Sequence, residues 1–226
     1  MNSKLFVRMP CILFLCASTV KAGIFIDPYL GYGMGEFSLE SSIGTNESDV
    51  EAPVLGLRLG YGKGGFFIGT DLMFQFETDF EPSLNDPNLP LAGGASRNGD
   101  ASHGSVFLTA GFKPPILPFR FYAGWALFSS YKLKFSGGED IDFEGKGGYK
   151  LGIGYKPGFL LIRLPISLNL EYLVEEFDEA TGVGTIGGNT KEFPFITGQT
   201  PNLIKYNDAE LKTIMITVSA PFTFFD

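Results

Sequence analysis

The feature that most constrains this chain is a regular alternation of apolar residues with polar or small ones. The longest example runs from Phe119 to Lys134, where apolar residues such as Trp125 alternate with residues such as Arg120 and Lys132. Because successive side chains of a β-strand point to opposite faces, each such segment predicts a strand with one apolar face. The pattern recurs eight times, near residues 24–37, 55–61, 66–76, 106–113, 119–134, 149–156, 164–175 and 213–224.

The connections between these segments alternate in length. Short connections lie at residues 63–65, 114–118 and 157–162, and long polar ones at residues 40–52, 77–104, 136–147 and 176–208. Sustained alternation, short turns on one rim and long loops on the other are typical of transmembrane β-barrels. The predicted fold class is therefore all-β, an antiparallel up-and-down barrel of eight strands. An even strand number puts both chain ends on the short-turn, periplasmic rim, with the long loops outside the cell.

Alternation alone does not tell which face meets lipid, because a lipocalin-like soluble barrel alternates equally well. The polar face here is crowded with glycine mixed with Arg, Lys and Glu, which suits a narrow lumen that must alternate small and large side chains. The apolar face has aromatic residues near strand ends, as in the interfacial girdles of membrane barrels. We therefore predict an exterior that faces lipid. The glycines are Gly56, Gly60, Gly69, Gly111, Gly124, Gly152 and Gly154, and the aromatic residues are Tyr61, Phe76, Tyr131, Tyr149, Tyr155, Tyr172 and Phe222.

The first 22 residues have the anatomy of a secretory signal peptide. Lys4 and Arg8 precede a short apolar run, and Val20 and Ala22 fit a cleavage site before Gly23. We predict a signal peptide at 1–22 and one outer-membrane barrel domain at 23–226. Both cysteines lie in the first segment, which excludes a disulfide scaffold for the remainder.

Acidic residues dominate the predicted mature chain, with 25 acids against the 14 bases that remain after residue 22. This balance argues against nucleic acid as a partner. The four long connections contain 18 of the acids and four of the bases. Solvation alone accounts for polar loops; the alternative is that they attract a basic partner or divalent cations shared with lipopolysaccharide phosphates. The dense run 139–144 lacks the glycine turn and spacing of an EF-hand, so we predict no dedicated metal site.

Charged residues on the polar faces are the best candidates for a special role. In an eight-stranded barrel the interior is just wide enough to be filled by side chains, and buried charges must be paired. The sequence therefore predicts a salt-bridged plug, with a solute pathway as the alternative. The predicted network contains Arg58, Asp71, Lys113, Arg120, Lys132, Lys134, Lys150, Lys156, Glu171 and Glu175. Four inward apolar residues would line a pocket for a hydrophobic solute if they clustered near the outer rim: Phe67, Met73, Phe107 and Phe128.

His103 and Ser105 form an H-x-S pattern that resembles outer-membrane lipid A deacylases and phospholipases. The match covers two residues, and no carboxylate is recognisably spaced to orient the histidine, as nucleophilic catalysis requires. We interpret His103 as a loop residue and predict no catalytic residue and no cofactor.

The eight alternating segments, the Pro28-Tyr29-Leu30-Gly31-Tyr32 opening and the Pro221-Phe222-Thr223-Phe224-Phe225 ending resemble eight-stranded bacterial outer-membrane proteins, such as the OmpA transmembrane domain, OmpX, OmpW and the opacity-type adhesins. The resemblance implies residence in the outer membrane, contact with its lipids and lipopolysaccharide, and insertion by the barrel-assembly machinery. Asp226 departs from it, because family members commonly end on an aromatic residue. The predicted function is a non-enzymatic barrel that anchors acidic surface loops. The alternatives are a narrow OmpW-like channel or carrier for small or hydrophobic solutes and a lipid-modifying enzyme.

Overall fold

The computed structural model describes residues 22–41, 44–80, 99–135, 140–157, 165–186, 189–194 and 206–224. The predicted signal peptide lies outside this range apart from Ala22. Among the described residues no helix is long and apolar enough to cross a membrane. The strands are β1 (Gly23–Ser41), β2 (Gly44–Lys63), β3 (Phe66–Phe80), β4 (Gly99–Phe112), β5 (Phe119–Phe135), β6 (Asp140–Tyr155), β7 (Ser167–Ile186), β8 (Asn189–Pro194), β9 (Tyr206–Ser219) and β10 (Phe222–Phe224).

Strands β1 to β7 pair consecutively and antiparallel, and β9 closes the sheet by pairing with both β7 and β1. These eight strands form the barrel, and the predicted fold class is confirmed. Strand β10 continues β9 beyond Pro221 and pairs with the start of β1. Among the described strands, β8 pairs only with the far end of β7.

The short turns are tied to one another at one end of the barrel. Gly64 and Gly65 both have positive φ, 65° and 85°, as a two-residue type I′ hairpin turn requires. The amide of Lys113 donates to the Gly65 carbonyl at 2.7 Å, and the amide of Lys156 donates to the Pro118 carbonyl at 2.8 Å. The first bond thus connects the end of β4 to the β2–β3 turn, and the second connects the end of β6 to the β4–β5 connection.

The outer surface is apolar and the buried charges lie in the interior, the reverse of a soluble barrel. Leu30 and Trp125, on the outer face, are 65% and 62% exposed, whereas Arg58, Asp71 and Lys150 are fully buried. An exposed apolar band around a closed sheet is stable only in lipid, where every backbone group is paired within the barrel. The predicted orientation of the two faces therefore agrees with the observed burial along most of each strand.

Strand pairing continues into the segments that the sequence predicted as long loops, so the strands are longer and the loops shorter than expected. Strand β2 begins at Gly44 and β4 at Gly99, and β7 continues to Ile186. Strand β2 has 20 residues, which is roughly 65 Å of strand at about 3.3 Å per residue. With a tilt of about 40°, such a strand rises roughly twice the height of an apolar band of about 25 Å. Many of the acidic residues therefore lie on strands that project beyond the membrane.

A β-bulge in β5 overturns part of the predicted interior. Val106 pairs with Phe128 and Phe107 pairs with Ala126, which leaves Leu127 as an extra residue. One extra residue moves every later side chain of the strand to the opposite face. Phe128 is consequently 72% exposed, so the prediction that it faces the lumen is wrong.

The same bulge exchanges the faces of the residues that follow. Lys132 and Lys134 were predicted to face the lumen, but both are exposed on the outer side. Tyr131 was predicted on the lipid face, but it and Leu133 are buried inside. The upper lumen is lined by Phe37, Phe143 and other apolar side chains. Two lysines in that apolar space would lack partners, and burial of unpaired charge is costly.

The bulge predicts the labelling pattern of single cysteines in β5. With no other cysteine beyond Cys16, Lys132→Cys is expected to react rapidly with a water-soluble maleimide in intact vesicles. Leu133→Cys is expected to react only after unfolding, because its side chain points into the packed interior. Faster labelling at position 133 than at position 132 would show that plain alternation continues through the strand.

Candidate functional site

Arg58 is the centre of a buried charge network in the short-turn half of the barrel. Its guanidinium contacts Asp27 at 3.1 Å, Asp71 at 3.1 Å and Glu171 at 2.6 Å. These carboxylates come from β1, β3 and β7, so one side chain from β2 connects both sides of the lumen. Charge-assisted bonds of this kind are the strongest hydrogen bonds available to a protein.

Two further cations complete the network. Lys150 on β6 forms an ion pair with Asp71 and lies 3.5 Å from Glu171. Arg120 on β5 contacts Asp27 at 2.8 Å and donates to Asn169 at 3.1 Å. The acids and bases balance, which is what burial in a low-dielectric interior requires. The network has three acids, Asp27, Asp71 and Glu171, and three bases, Arg58, Arg120 and Lys150.

Two tyrosines enclose the Arg58 guanidinium. Its central carbon lies 4.1 Å from the ring centre of Tyr29 and 4.7 Å from that of Tyr122. Each tyrosine lies against a glycine: a Cβ atom built on Gly56 would be 2.0 Å from the Tyr29 ring, and one on Gly152 would be 2.2 Å from the Tyr122 ring. Glycine is therefore required at both positions, which explains two of the glycines of the inward face.

Next to the charges, apolar side chains fill the lumen. Met73, Phe107, Leu173 and Met215 are completely buried and come from four different strands. They belong to one cluster that continues toward the loop ends with Phe37, Val50, Tyr131, Leu133, Phe143 and Phe177. Phe37 stacks on Tyr131 with the ring centres 4.4 Å apart. The described part of the interior is thus packed rather than open.

A second polar cluster lies in the loop half of the lumen and is centred on His103. Its Nδ1 lies 2.9 Å from Oε1 of Gln75, and its Nε2 lies 2.8 Å from Oγ of Ser105. Glu175 crosses the lumen from β7, placing Oε2 2.5 Å from the same Nε2 and accepting a hydrogen bond from Ser105 at 2.7 Å. The interpretation of His103 as a loop residue is wrong, because β4 begins at Gly99 and the side chain is buried inside.

The His103 cluster differs from a catalytic triad in the position of its carboxylate. In a triad the carboxylate holds the ring nitrogen opposite the one that faces the serine. Here Glu175 and Ser105 share Nε2, and Gln75 occupies the opposite nitrogen. Both ring nitrogens therefore have an oxygen atom within hydrogen-bond distance. The serine hydroxyl donates to Glu175. This geometry describes a structural hydrogen-bond cluster better than an activated nucleophile.

The predicted site residues fall into four groups. Arg58, Asp71, Arg120, Lys150 and Glu171 belong to the lower network, and Glu175 belongs to the His103 cluster. Lys113 and Lys156 lie at the short-turn rim, where they line a cavity. Lys132 and Lys134 lie on the outer side, because the β5 bulge exchanges the faces of the residues that follow it. Of the apolar residues predicted to line a carrier pocket, Met73 and Phe107 are buried inside. Phe67 lies near the short-turn mouth, whereas a pocket for a hydrophobic solute was expected at the outer rim.

Sequence reasoning missed Asp27 in the lower network and Gln75 and Glu175 as partners of His103. Asp27 had a usable signal: Ile26 and Leu30 are apolar residues of the first alternating segment, so alternation places residues 27 and 29 on the opposite, inward face. The partners of His103 had none, because Gln75 meets His103 through the register of β3 against β4, which alternation does not set, and Glu175 reaches the ring from β7 across the closed lumen. Within the described residues no group of three or more His, Cys, Asp or Glu is arranged to hold a metal ion, and most of the acidic run 139–144 lies on β6.

Comparison with known proteins gives matches at the level of fold. No sequence-family model matches the chain, and no curated protein does. Among solved structures it is similar to outer membrane protein OprG from Pseudomonas aeruginosa, with a TM-score of 0.50 and 15% identity over 89% of this chain and 97% of that one. It is also similar to Neisserial surface protein A (TM-score 0.46, 13% identity, 89% and 99% covered) and to the outer membrane protease OmpT from Escherichia coli (0.46, 10%, 92% and 100%).

The closed antiparallel barrel, its apolar exterior and its charged, packed interior together define an eight-stranded β-barrel of the bacterial outer membrane. The predicted class and localisation are thus confirmed. At these identities the likeness extends to the fold and not to an activity.

The lower network predicts a large difference between two substitutions of basic residues. Arg58→Met leaves three buried carboxylates with two cations and is expected to lower the free energy of unfolding by about 3–5 kcal/mol. Lys132→Met removes an exposed pair with Asp142, 3.4 Å long, and is expected to cost less than about 1 kcal/mol. Urea unfolding of the detergent-solubilised barrel measures both, and equal losses would contradict a structural role for the network.

Proposed function

We propose that this protein is a non-enzymatic outer-membrane anchor whose projecting acidic strands act at the cell surface. The observation that carries the proposal is the packed lumen. Arg58 joins β2 to β7, and the His103–Glu175 pair joins β4 to β7. With completely buried apolar side chains between them, the described interior favours a support over a conduit.

The enclosure of His103 and Ser105 supports the non-enzymatic part of the proposal. Both residues are buried, and His103 lies within 6.4 Å of the ring centres of Tyr131 and Phe177. A lipid substrate would have to displace this aromatic packing before it reached the hydroxyl. The carboxylate on Nε2 also competes with the serine for the nitrogen that would accept its proton.

The acidic part of the proposal rests on where the exposed carboxylates lie. Glu47, Asp49 and Glu51 occupy successive outward positions of β2, beyond the apolar band. Glu51 accepts a hydrogen bond from Tyr32 at 3.2 Å, which marks the boundary between the aromatic girdle and the charged surface. Lipopolysaccharide phosphates lie at this level of an outer membrane. Divalent cations, which bind carboxylate and phosphate oxygens alike, would join the two anionic surfaces.

Ion conductance distinguishes the anchor from a channel. Wild-type protein in a planar bilayer is expected to give no conductance steps, whereas an open sixteen-stranded porin supplies the positive control. Glu171→Ala removes a carboxylate that Arg58 and Lys150 share and is expected to admit water and small ions. Lys132→Ala, outside the lumen, is expected to remain silent. Regular conductance steps from the wild-type protein would refute the packed-lumen proposal and favour the carrier.

Magnesium dependence tests the role of the acidic strands. In bilayers containing lipopolysaccharide, added Mg²⁺ is expected to raise the Tm of the wild-type barrel, because an ion bound only to the folded state stabilises it. A triple variant, Glu47→Gln with Asp49→Asn and Glu51→Gln, is expected to lose most of that rise. Phospholipid bilayers without lipopolysaccharide serve as the control. An equal rise in the triple variant would show that these carboxylates do not carry the interaction.

A further inference from the structure

The cavity lined by Lys113 and Lys156 opens at the short-turn end of the barrel, away from the acidic surface. Its volume is about 360 Å³, within the range of small-molecule sites. Phe25 and Phe67 form its inner wall and meet edge to face with ring centres 5.1 Å apart. Phe66 and Phe119 also line it. We call this cavity the periplasmic vestibule.

The rim of the vestibule is basic. Lys63, Lys113 and Lys156 line it, and each comes from a different short turn. The two backbone hydrogen bonds between turns, from Lys113 to Gly65 and from Lys156 to Pro118, hold the positions of these lysines relative to one another. The cationic rim is therefore set by the fold and not only by flexible side chains.

Arg120 supplies a fourth cation, deeper in the vestibule. Its side chain is 12% exposed and is held by Asp27 at 2.8 Å and Asn169 at 3.1 Å. Its buried Nε has no hydrogen-bond partner in the described structure. A buried donor without an acceptor costs free energy, so the Nε–H of Arg120 favours a ligand that places an acceptor atom in the vestibule.

These positive charges are not balanced locally. None of the residues that line the vestibule is acidic, and in the described part of the chain the three rim lysines form no ion pair. Asp27, which Arg120 contacts, is also bound by Arg58. Desolvation lowers the pKa of Lys113, and the nearby charges of Lys156 and Arg120 lower it further. An anion in the vestibule would relieve this repulsion.

We propose that the periplasmic vestibule binds a phosphate group. Lysine binds phosphate as a point charge, and several cations converging on one small space suit a multiply charged tetrahedral anion better than a carboxylate. The aromatic walls provide space for an apolar substituent beside it. The phosphate would come either from a phospholipid headgroup of the inner leaflet, which lies at this level of the membrane, or from a phosphorylated solute of the periplasm. The site is independent of the surface function proposed above.

Titration of isotope-labelled protein in dodecyl maltoside, a phosphate-free detergent, tests this proposal. Inorganic phosphate and soluble dihexanoylphosphatidylglycerol are added separately, and the amide signals of Gly64, Gly65 and Lys113 are followed by NMR. Saturable shifts with inorganic phosphate support a site that accepts the free anion. Saturation with the lipid alone supports a headgroup site. Sodium chloride at matched ionic strength is expected to give no saturable shift.

Two double variants with the same change in charge provide the decisive comparison. Lys113→Gln with Lys156→Gln is expected to weaken binding at least tenfold, and because both side chains are exposed, the barrel should stay folded, as its other amide signals will report. Lys132→Gln with Lys212→Gln, on outward positions of the loop half, is expected to bind like wild type. The proposal is overturned if neither probe saturates, if chloride saturates equally, or if both double variants lose the same affinity.

Discussion

The structure depends on neutralising charge inside a narrow barrel. Arg58 is fully buried, and its stability in the lumen comes from three carboxylates that three other strands supply. Lys150 and Arg120 then neutralise the remaining negative charge. The need to enclose and neutralise Arg58 determines part of the surrounding sequence, since the two tyrosines that cover its guanidinium need glycines opposite them.

Much of this architecture follows from the sequence because alternation has a period of two and the lipid face tolerates few exceptions. Strand number, chain direction and the inward position of Arg58, Asp71, Lys150 and Glu171 could all be predicted in this way. The β5 bulge could not, because an extra residue is a property of the pairing between two strands. The bulge places Lys132 on the outer face and Tyr131 on the inner face, the opposite of the predicted arrangement. The His103 cluster was also out of reach, since Gln75 meets His103 only through the register of β3 against β4, and Glu175 reaches it only across the closed barrel.

Function is less constrained than fold in a protein of this kind. The barrel shared with OprG at 15% identity supports many activities in principle, so the distinguishing features must be local. Here they lie at the two ends: carboxylates on strands that project outward, and lysines on turns that face the periplasm. The packed interior between them favours separate roles for the two ends over transport from one to the other.

The central arginine also has a consequence for how the chain reaches its native state. Arg58 is separated from Asp27 by 31 positions and from Glu171 by 113, so its partners assemble only when strands from both halves of the sequence have met. A half-built sheet would leave a guanidinium or a carboxylate facing acyl chains, which is strongly unfavourable. Contacts this distant along the chain slow folding and make it cooperative. Partly inserted intermediates should therefore be short-lived, and once the last strand has joined the first, the finished barrel should open only very slowly.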